Sequence, residues 1–591
     1  MFVRDFCFRS LSLVCVGSLA AACSSSLLAA PDPGHALGVE EDEAPVGASG
    51  GVLHEEQAAY DVLHYGLDLR VDPEAKRIDG RLLLRAAMTE REDASQAIRL
   101  HLDPRLSVEK VVGGDRELSF THDDGVVRID DRSFLGGFGE ADVFELVVHY
   151  GGTPRVAPRP PWNGGFTWAE TADGSPWIAT SCQGEGADLW WPCKDHPSDE
   201  ADSMSINVTV PDPLVVATNG RFVAKEAAED GWTTWRWHVS TPINNYGVAL
   251  NIAPYREIRR DFESTAGDVF PVSYWVLPEN YEKGQVLYEE IVKHLHWFET
   301  VYGPYPFRGD KYGVAETPHL GMEHQTIIAY GNEYRGNIWG PKKWNFDSLH
   351  HHELAHEWWA NLVTARSWED MWIHEGFGTY AQALYVEHLH GEDAYHEQMA
   401  YYDRRHGNKG PVAPRRTMDT KEVYFGSRGD SPGGDIYNKG ACVLHSLRWL
   451  VGKDTLLKTL RRIAYPDPAL EKTTDGSACR FSDTDEVLAI AETHTGRELD
   501  WFFDVYLRQP KLPVLRHEVE GDTLAVWWEV PDDLPFPMPV ELVLDGDAQR
   551  LEMPATGRVT VALEGRSFEL DPKRKLLRAK PRKKKREGSS R

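Results

Sequence analysis

Two histidines, His352 and His356, stand four residues apart with Glu353 between them, and Glu375 follows after eighteen further residues. No other feature of the chain constrains its fold as strongly. Residues four apart share one face of an α-helix, so both imidazoles reach a single ion only where this stretch is helical. Glu353 then sits one step round the helix, where a carboxylate takes a proton from water polarised by a metal. Glu375 completes a His, His, Glu set. Three protein ligands leave the fourth tetrahedral position of zinc open, which is the catalytic form of such a site. Leu354, Ala355, Trp358, Trp359, Leu362 and Val363 suit a buried helix, predicted over Trp344 to Val363. A second helical run, from Glu375 through Phe377, Tyr380, Leu384 and Val386, brings the third ligand alongside. The competing reading is an ordinary core helix whose histidines are satisfied by neighbours. His351 and His374 are read as surface residues or as supports of the ligands, because the open site needs only three.

Around these residues the sequence resembles the zinc aminopeptidases that include aminopeptidase N and leukotriene hydrolase, from about residue 55 to about residue 570. The first anchor is His352-Glu353-Leu354-Ala355-His356-Glu357-Trp358-Trp359-Ala360-Asn361-Leu362-Val363-Thr364, continuing to Trp372-Ile373-His374-Glu375-Gly376-Phe377. His374 stands where the family usually has Asn. The second anchor is Leu320-Gly321-Met322-Glu323-His324, similar to a G-x-M-E-N motif with Leu320 and His324 as departures. The resemblance implies that Gly321, Met322 and Glu323 bind substrate, with the Glu323 carboxylate holding the free α-amino group. A fixed carboxylate facing an ammonium makes a charge-assisted hydrogen bond and sets where the substrate must begin. The third anchor, Asp435-Ile436-Tyr437-Asn438-Lys439-Gly440, resembles a Y-x-K-G segment, which implies that Tyr437 donates to the oxyanion of the tetrahedral intermediate. A fourth correspondence lies in Ser181-Cys182-Gln183-Gly184-Glu185. It implies that Gln183 reaches the cleft as a second substrate contact, while Glu185 reads either as a further contact or as an exposed loop carboxylate.

The resemblance implies a multidomain α/β and β fold, with a β-rich, saddle-like amino-terminal domain, a thermolysin-like catalytic domain and a small carboxy-terminal β-sandwich. The residue pattern divides the chain in the same way. Alternating segments, among them Leu63 to Val71, Arg81 to Ala86, Ile98 to Leu102, Val143 to Tyr150 and Ser205 to Val210, predict strands across residues 53–255. Helical patterns dominate 256–511, including Val286 to Val301, Gly376 to His390 and Gly440 to Val451. Short strands return in 512–572, at Thr523 to Val530, Val540 to Leu544, Arg558 to Leu563 and Ser567 to Leu570.

The two ends read differently from the body. Arg4 and Arg9 precede an apolar run from Leu11 to Ala22, too short to span a membrane, and Ala20-Ala21-Ala22-Cys23 offers a cleavage site before a cysteine. Residues 1–23 are therefore an export signal that resembles a bacterial lipoprotein signal, with 24–52 as a flexible tether. The expectation is an exported protein, either periplasmic and membrane-anchored through lipidated Cys23 or released in soluble form. The basic stretch 573–591 reads as a solvated tail or as a contact for an anionic surface. At −28, the formal charge of the 591-residue chain argues against nucleic-acid binding and favours cationic species such as peptide amino termini. Cys182, Cys193, Cys442 and Cys479 are compatible with two disulfides in an oxidising compartment, Cys182 with Cys193 being the first pair to test.

The function that follows is zinc-dependent hydrolysis of the amino-terminal bond of peptides, with one zinc per chain. A thermolysin-type endopeptidase would share the zinc apparatus without needing Glu323. A non-catalytic scaffold would use the same fold, yet every named catalytic position is filled. Epoxide hydrolysis of the leukotriene type is disfavoured, since Pro432, five residues before Tyr437, offers no hydroxyl.

Overall fold

A computed structural model of the chain describes residues 49–89, 97–131 and 143–579. The export signal, Cys23 and the basic run from Arg582 to Arg586 lie outside the described residues.

The amino-terminal part is built on an eight-stranded sheet. Its spatial order is Arg221–Glu229, Trp232–Val239, Ser203–Pro211, Tyr60–Asp72, Arg77–Met88, Val143–Gly152, Leu106–Gly113 and Arg116–Leu118. Only the pair Tyr60–Asp72 and Ser203–Pro211 is parallel. Strand periodicity sends Leu67, Leu69 and Val71 to one buried face together with Leu82, Leu84, Ile206 and Val208. A second, four-stranded sheet holds Val215–Thr218, Leu250–Ala253, Pro176–Ser181 and Gly165–Glu170. The strand Pro176–Ser181 ends immediately before Cys182 and Gln183, and so delivers their loop.

The catalytic part opens with another four-stranded sheet, Arg256–Glu263, Val269–Val276, Tyr312–Glu316 and Ile328–Tyr330. Its edge is extended by Met322, which bridges Ala329 in antiparallel fashion and accepts the Ala329 N–H at 3.0 Å. Helix α1, Tyr281–Tyr302, lays Leu287, Tyr288, Ile291, Leu295 and Phe298 into the core. Helix α2, Ser348–Ala355, carries the first histidine and is buried over its whole length. Asp347 caps it by accepting the His350 N–H at 3.0 Å. The predicted helix to Val363 is therefore too long. After Ala355 the chain closes through wide turns, Asn361 N–H to His356 O at 2.9 Å and Val363 N–H to Trp358 O at 3.1 Å. It leaves as the strand Val363–Ala365, paired in parallel with Arg480–Ser482.

Helices α3, Trp372–His390, and α4, Asn438–Val451, cross at two glycines. A Cβ on Gly376 would stand 3.1 Å from the Gly440 Cα, and one on Gly440 3.0 Å from the Gly376 Cα, so a side chain on either would press on the other helix's backbone.

Two three-stranded sheets form the carboxy-terminal part: Val514–Glu520, Thr523–Glu529 and Arg558–Ala562, then Asp547–Leu551, Val540–Leu544 and Phe568–Leu570. The first and fourth of these strands have no counterpart among the sequence expectations. Trp449 of α4 docks this unit by donating its Nε1–H to Pro539 O at 2.8 Å. The start of the basic segment is not a solvated tail. Lys573, Arg574 and Lys575 pair with Asp393, Asp403 and Glu541, and Leu576 and Leu577 are buried. The four cysteines of the body are free thiols, so the disulfide expectation for Cys182 and Cys193 is not met; their burial in the aromatic core keeps both thiols protonated. No described helix is long and apolar enough to cross a membrane.

Candidate metal and substrate site

His352, on the last turn of α2, and His356, one residue past its end, direct their Nε2 atoms to within 3.2 Å of each other. Glu375, on the first turn of α3, places Oε2 3.3 Å from the first and 3.5 Å from the second. The ligand atoms of all three lie within 4.8 Å of one another, and all three side chains are buried. The His356 Nδ1–H is directed at Trp359 O at 2.9 Å, which aims Nε2 at the cluster. Two imidazole nitrogens this close, both facing a carboxylate, can share one hydrogen or point together at one cation. Glu353 and Glu323 crowd the same place, their carboxylates grouped with His356 within 4.8 Å. Burial, with Glu323 and Glu375 nearby, pushes Glu353 well above the usual carboxylate range. Burial alone lowers His356, yet Glu375, Glu323 and Glu353 outweigh it and push the imidazole up to about 10. A divalent cation relieves this mutual repulsion, so the donor set fits zinc.

Glu353 has room only because position 321 is glycine. A Cβ there would stand 2.1 Å from its Oε1, so Gly321 brings the edge backbone directly against the carboxylate. Met322 is buried, and its carbonyl accepts the Ala329 N–H at 3.0 Å. Glu323 is 3% exposed and accepts from Gln183 Nε2, which arrives from the amino-terminal sheet. Burial pushes Glu323 up to about 7. Its backbone carbonyl is fixed by Asn361 Nδ2 at 3.1 Å, and the same amide donates to Glu357 Oε2 at 3.3 Å.

Tyr437 caps α4, so the glycine crossing that seats Glu375 also seats this phenol. Its ring centroid lies 6.3 Å from that of His352, with the two planes inclined by 29°. Burial and then Glu375 raise Tyr437 well above the usual phenol range, which keeps it a hydrogen donor. The same causes act on Tyr424, which interacts with it.

Glu185 is neither exposed nor turned to substrate. It accepts from Gly164 N–H at 2.7 Å and pairs with Arg155 at 3.4 Å, holding the loop that presents Gln183. Thr420 Oγ1 ties that loop to the catalytic part by donating to Gly184 O at 2.6 Å. His351 is packed among Phe298, Trp297 and Tyr385. His374 accepts the Ala365 N–H at 2.8 Å through Nε2. Both are buried, which removes the surface reading, and neither belongs to the ligand cluster. His324 is also fully buried, and burial lowers it to about 3, so it is a neutral residue behind the anchor.

Several neighbours were not singled out from the sequence. Tyr246 stands 2% exposed against Trp368, with its phenol raised by burial and then by Glu323 and Glu375. Glu200 accepts from Thr364 Oγ1 at 2.7 Å across the junction of the two parts, and burial pushes it up to about 8. Trp339 sets its ring 5.0 Å from that of His352, at 70°. Glu357, Asn361 and Thr364 carry a signal, as part of the first anchor.

Comparisons with known proteins agree with this geometry. A leucine aminopeptidase 2 of Neosartorya fischeri is 26% identical over 391 residues, 62% of this chain and 59% of its own. One from Neurospora crassa is 31% identical over 304 residues, 50% of this chain and 43% of its own. An aminopeptidase N of Streptomyces lividans is 27% identical over 51% of this chain and 36% of its own. The matches thus span between about a third and three-fifths of these relatives' lengths. Among solved structures, an M1 zinc metallopeptidase of Deinococcus radiodurans superposes with a TM-score of 0.60 at 24% identity, covering 77% of this chain and 95% of that one. Legionella pneumophila aminopeptidase A, in complex with aspartic acid, gives 0.68 at 14% identity over 88% of this chain and 59% of its own. These likenesses establish a shared fold. The profile of the peptidase M1 N-terminal domain matches residues 61–246 and that of the peptidase family M1 domain matches 286–466. Together the two profiles span more than half of the chain, and the second contains the whole ligand set: this chain belongs to peptidase family M1.

Proposed function

We propose that the protein is a zinc-dependent aminopeptidase that removes single residues from the free amino terminus of peptides. The observation that carries this reading is the pairing of Glu323 with Gln183 beside His356. A buried carboxylate so close to the metal ligands closes the cleft on one side and rewards a substrate that ends there in an ammonium. His352, His356 and Glu375 would hold the zinc, which when bound supplies Lewis-acid polarisation of the scissile carbonyl and of water. Glu353 takes the proton from the attacking water and returns it to the leaving amine. Tyr437 donates its hydroxyl hydrogen to the oxygen on which negative charge develops. Gln183 orients the Glu323 carboxylate toward the α-ammonium.

The relatives named leucine aminopeptidase support leucyl compounds as first substrates. Hydrolysis of leucine arylamide should disappear with a chelator and return with added zinc, and the amino-acetylated arylamide should resist. Rapid cleavage of acetylated peptides at internal bonds would replace this reading by an endopeptidase.

We also infer export with anchoring through lipidated Cys23, from the basic start, the apolar run and the small residues before that cysteine. Cys23→Ser should move the protein from the membrane fraction to the soluble one. Unchanged fractionation would dismiss the lipid.

A further inference from the structure

Residues 331–347, between the sheet edge and α2, contain neither helix nor strand, yet they hold one aromatic side chain firmly. The Ile338 N–H donates to Ser348 Oγ at 2.8 Å, and the Trp339 N–H donates to Asn337 Oδ1 at 3.1 Å. The Trp339 carbonyl accepts from Gln398 Nε2 at 3.1 Å. The next residue, Gly340, runs close against the same glutamine, a Cβ there standing 2.6 Å from Gln398 Oε1. The turn is thus clamped from both sides, and the indole, only partly buried, stands edge-to-face with His352 at 5.0 Å.

Its position relative to the anchor gives it a meaning. Glu323 groups with Glu353 and His356 and not with His352. The amine anchor therefore stands at one histidine and the indole at the other. A peptide whose α-ammonium meets Glu323 and whose first carbonyl lies between the histidines continues past the scissile bond toward Trp339.

We propose that Trp339 is the wall that receives the side chain of the second residue, so that the enzyme selects peptides with an aromatic or bulky aliphatic residue after the cleaved one. This rests on the aminopeptidase reading. A rigid indole offers apolar area and a polarised ring face at little conformational cost, and a side chain laid on it leaves water. Glycine gains nothing there, and aspartate loses hydration. Contacts of this size discriminate between substrates by about 10- to 100-fold.

The test is a ratio, which does not depend on the fraction of active enzyme. For Leu-Phe-amide against Leu-Gly-amide, kcat/KM in the native zinc enzyme should favour the former by about 10-fold or more. Trp339→Ala should bring the ratio to within about 3-fold of unity, and Trp339→Phe should keep most of it, with zinc content unchanged in both. A native ratio near one, or a native ratio retained in Trp339→Ala, overturns the inference while the aminopeptidase stands. A native enzyme that cleaves neither dipeptide amide but cuts acetylated peptides overturns both.

Discussion

The metal side and the amine side of the cleft are built by different means. His352, Glu353, His356 and Glu375 come from one short stretch of chain, on two helices and the residue that ends the first, and contacts of 3.2 to 3.5 Å join His352, His356 and Glu375. Gln183 and Glu323 meet across 140 residues, one from the end of an amino-terminal strand and the other from the edge of the catalytic sheet. Tyr246, also amino-terminal, backs the pair. On the proposed reading, metal chemistry is thus local, while the rule about where a substrate begins is a property of how two parts of the molecule pack. Damage to one should leave the other standing.

The sharpest separation is expected at Glu353. Glu353→Gln removes the proton acceptor but no ligand, so zinc should stay near one equivalent while kcat falls by up to about 10⁴-fold. Zinc lost along with activity would show that the two sides are not separable in this way. Next comes Glu323→Ala, which removes a charge-assisted bond at the amine side. A loss of roughly 2 to 3 kcal/mol, or about 30- to 150-fold in kcat/KM, is expected with zinc unchanged. Acetylating the substrate should cost the native enzyme a similar factor, and the two losses should not add, because both delete one interaction. Additive losses would place the ammonium elsewhere.

The smallest effect concerns the junction behind the amine side. The Glu200 carboxyl, ordinarily near 4.5, is raised by burial to about 8. A carboxyl raised by folding contributes stability that is complete below its unfolded value and is lost as pH climbs through its folded one. Glu200→Gln stays neutral and still accepts the Thr364 hydroxyl. The variant's Tm should therefore gain on the native protein's between about pH 5 and about pH 9, by on the order of 1 to 3 kcal/mol in stability. Parallel Tm profiles would mean that Glu200 ionises freely in the fold.

What the sequence reveals follows the same division. The metal side is legible because helical spacing and ligand chemistry are both local. Even there the helix was overextended: Trp358, Trp359 and Leu362 continue the apolar periodicity, but pairing of Val363–Ala365 with the distant Arg480–Ser482 bends the chain away. On the amine side only resemblance identified Glu323 and Gln183, and Tyr246 carried no mark at all, because its role depends on packing between parts. Asp547–Leu551 was invisible for a simpler reason. Four of its five residues are exposed, so it shows no alternation of apolar and polar side chains. Glu185 is not legible as a loop tie, because the sequence does not show that Arg155 lies opposite it. Trp339 sits in a stretch without periodicity, and only its hydrogen-bonded surroundings distinguish it from any loop tryptophan.

The glycine crossing of α3 and α4 carries one more consequence. Glu375 precedes Gly376 on one helix, and Tyr437 lies one turn before Gly440 on the other. Glu375 and Tyr437, the proposed metal ligand and oxyanion donor, are therefore mounted on opposite halves of a single joint, with no side chain at either glycine to act as a spacer. A side chain at either glycine would press the two helices apart, so a substitution there is expected to disturb the positions of Glu375 and Tyr437 together.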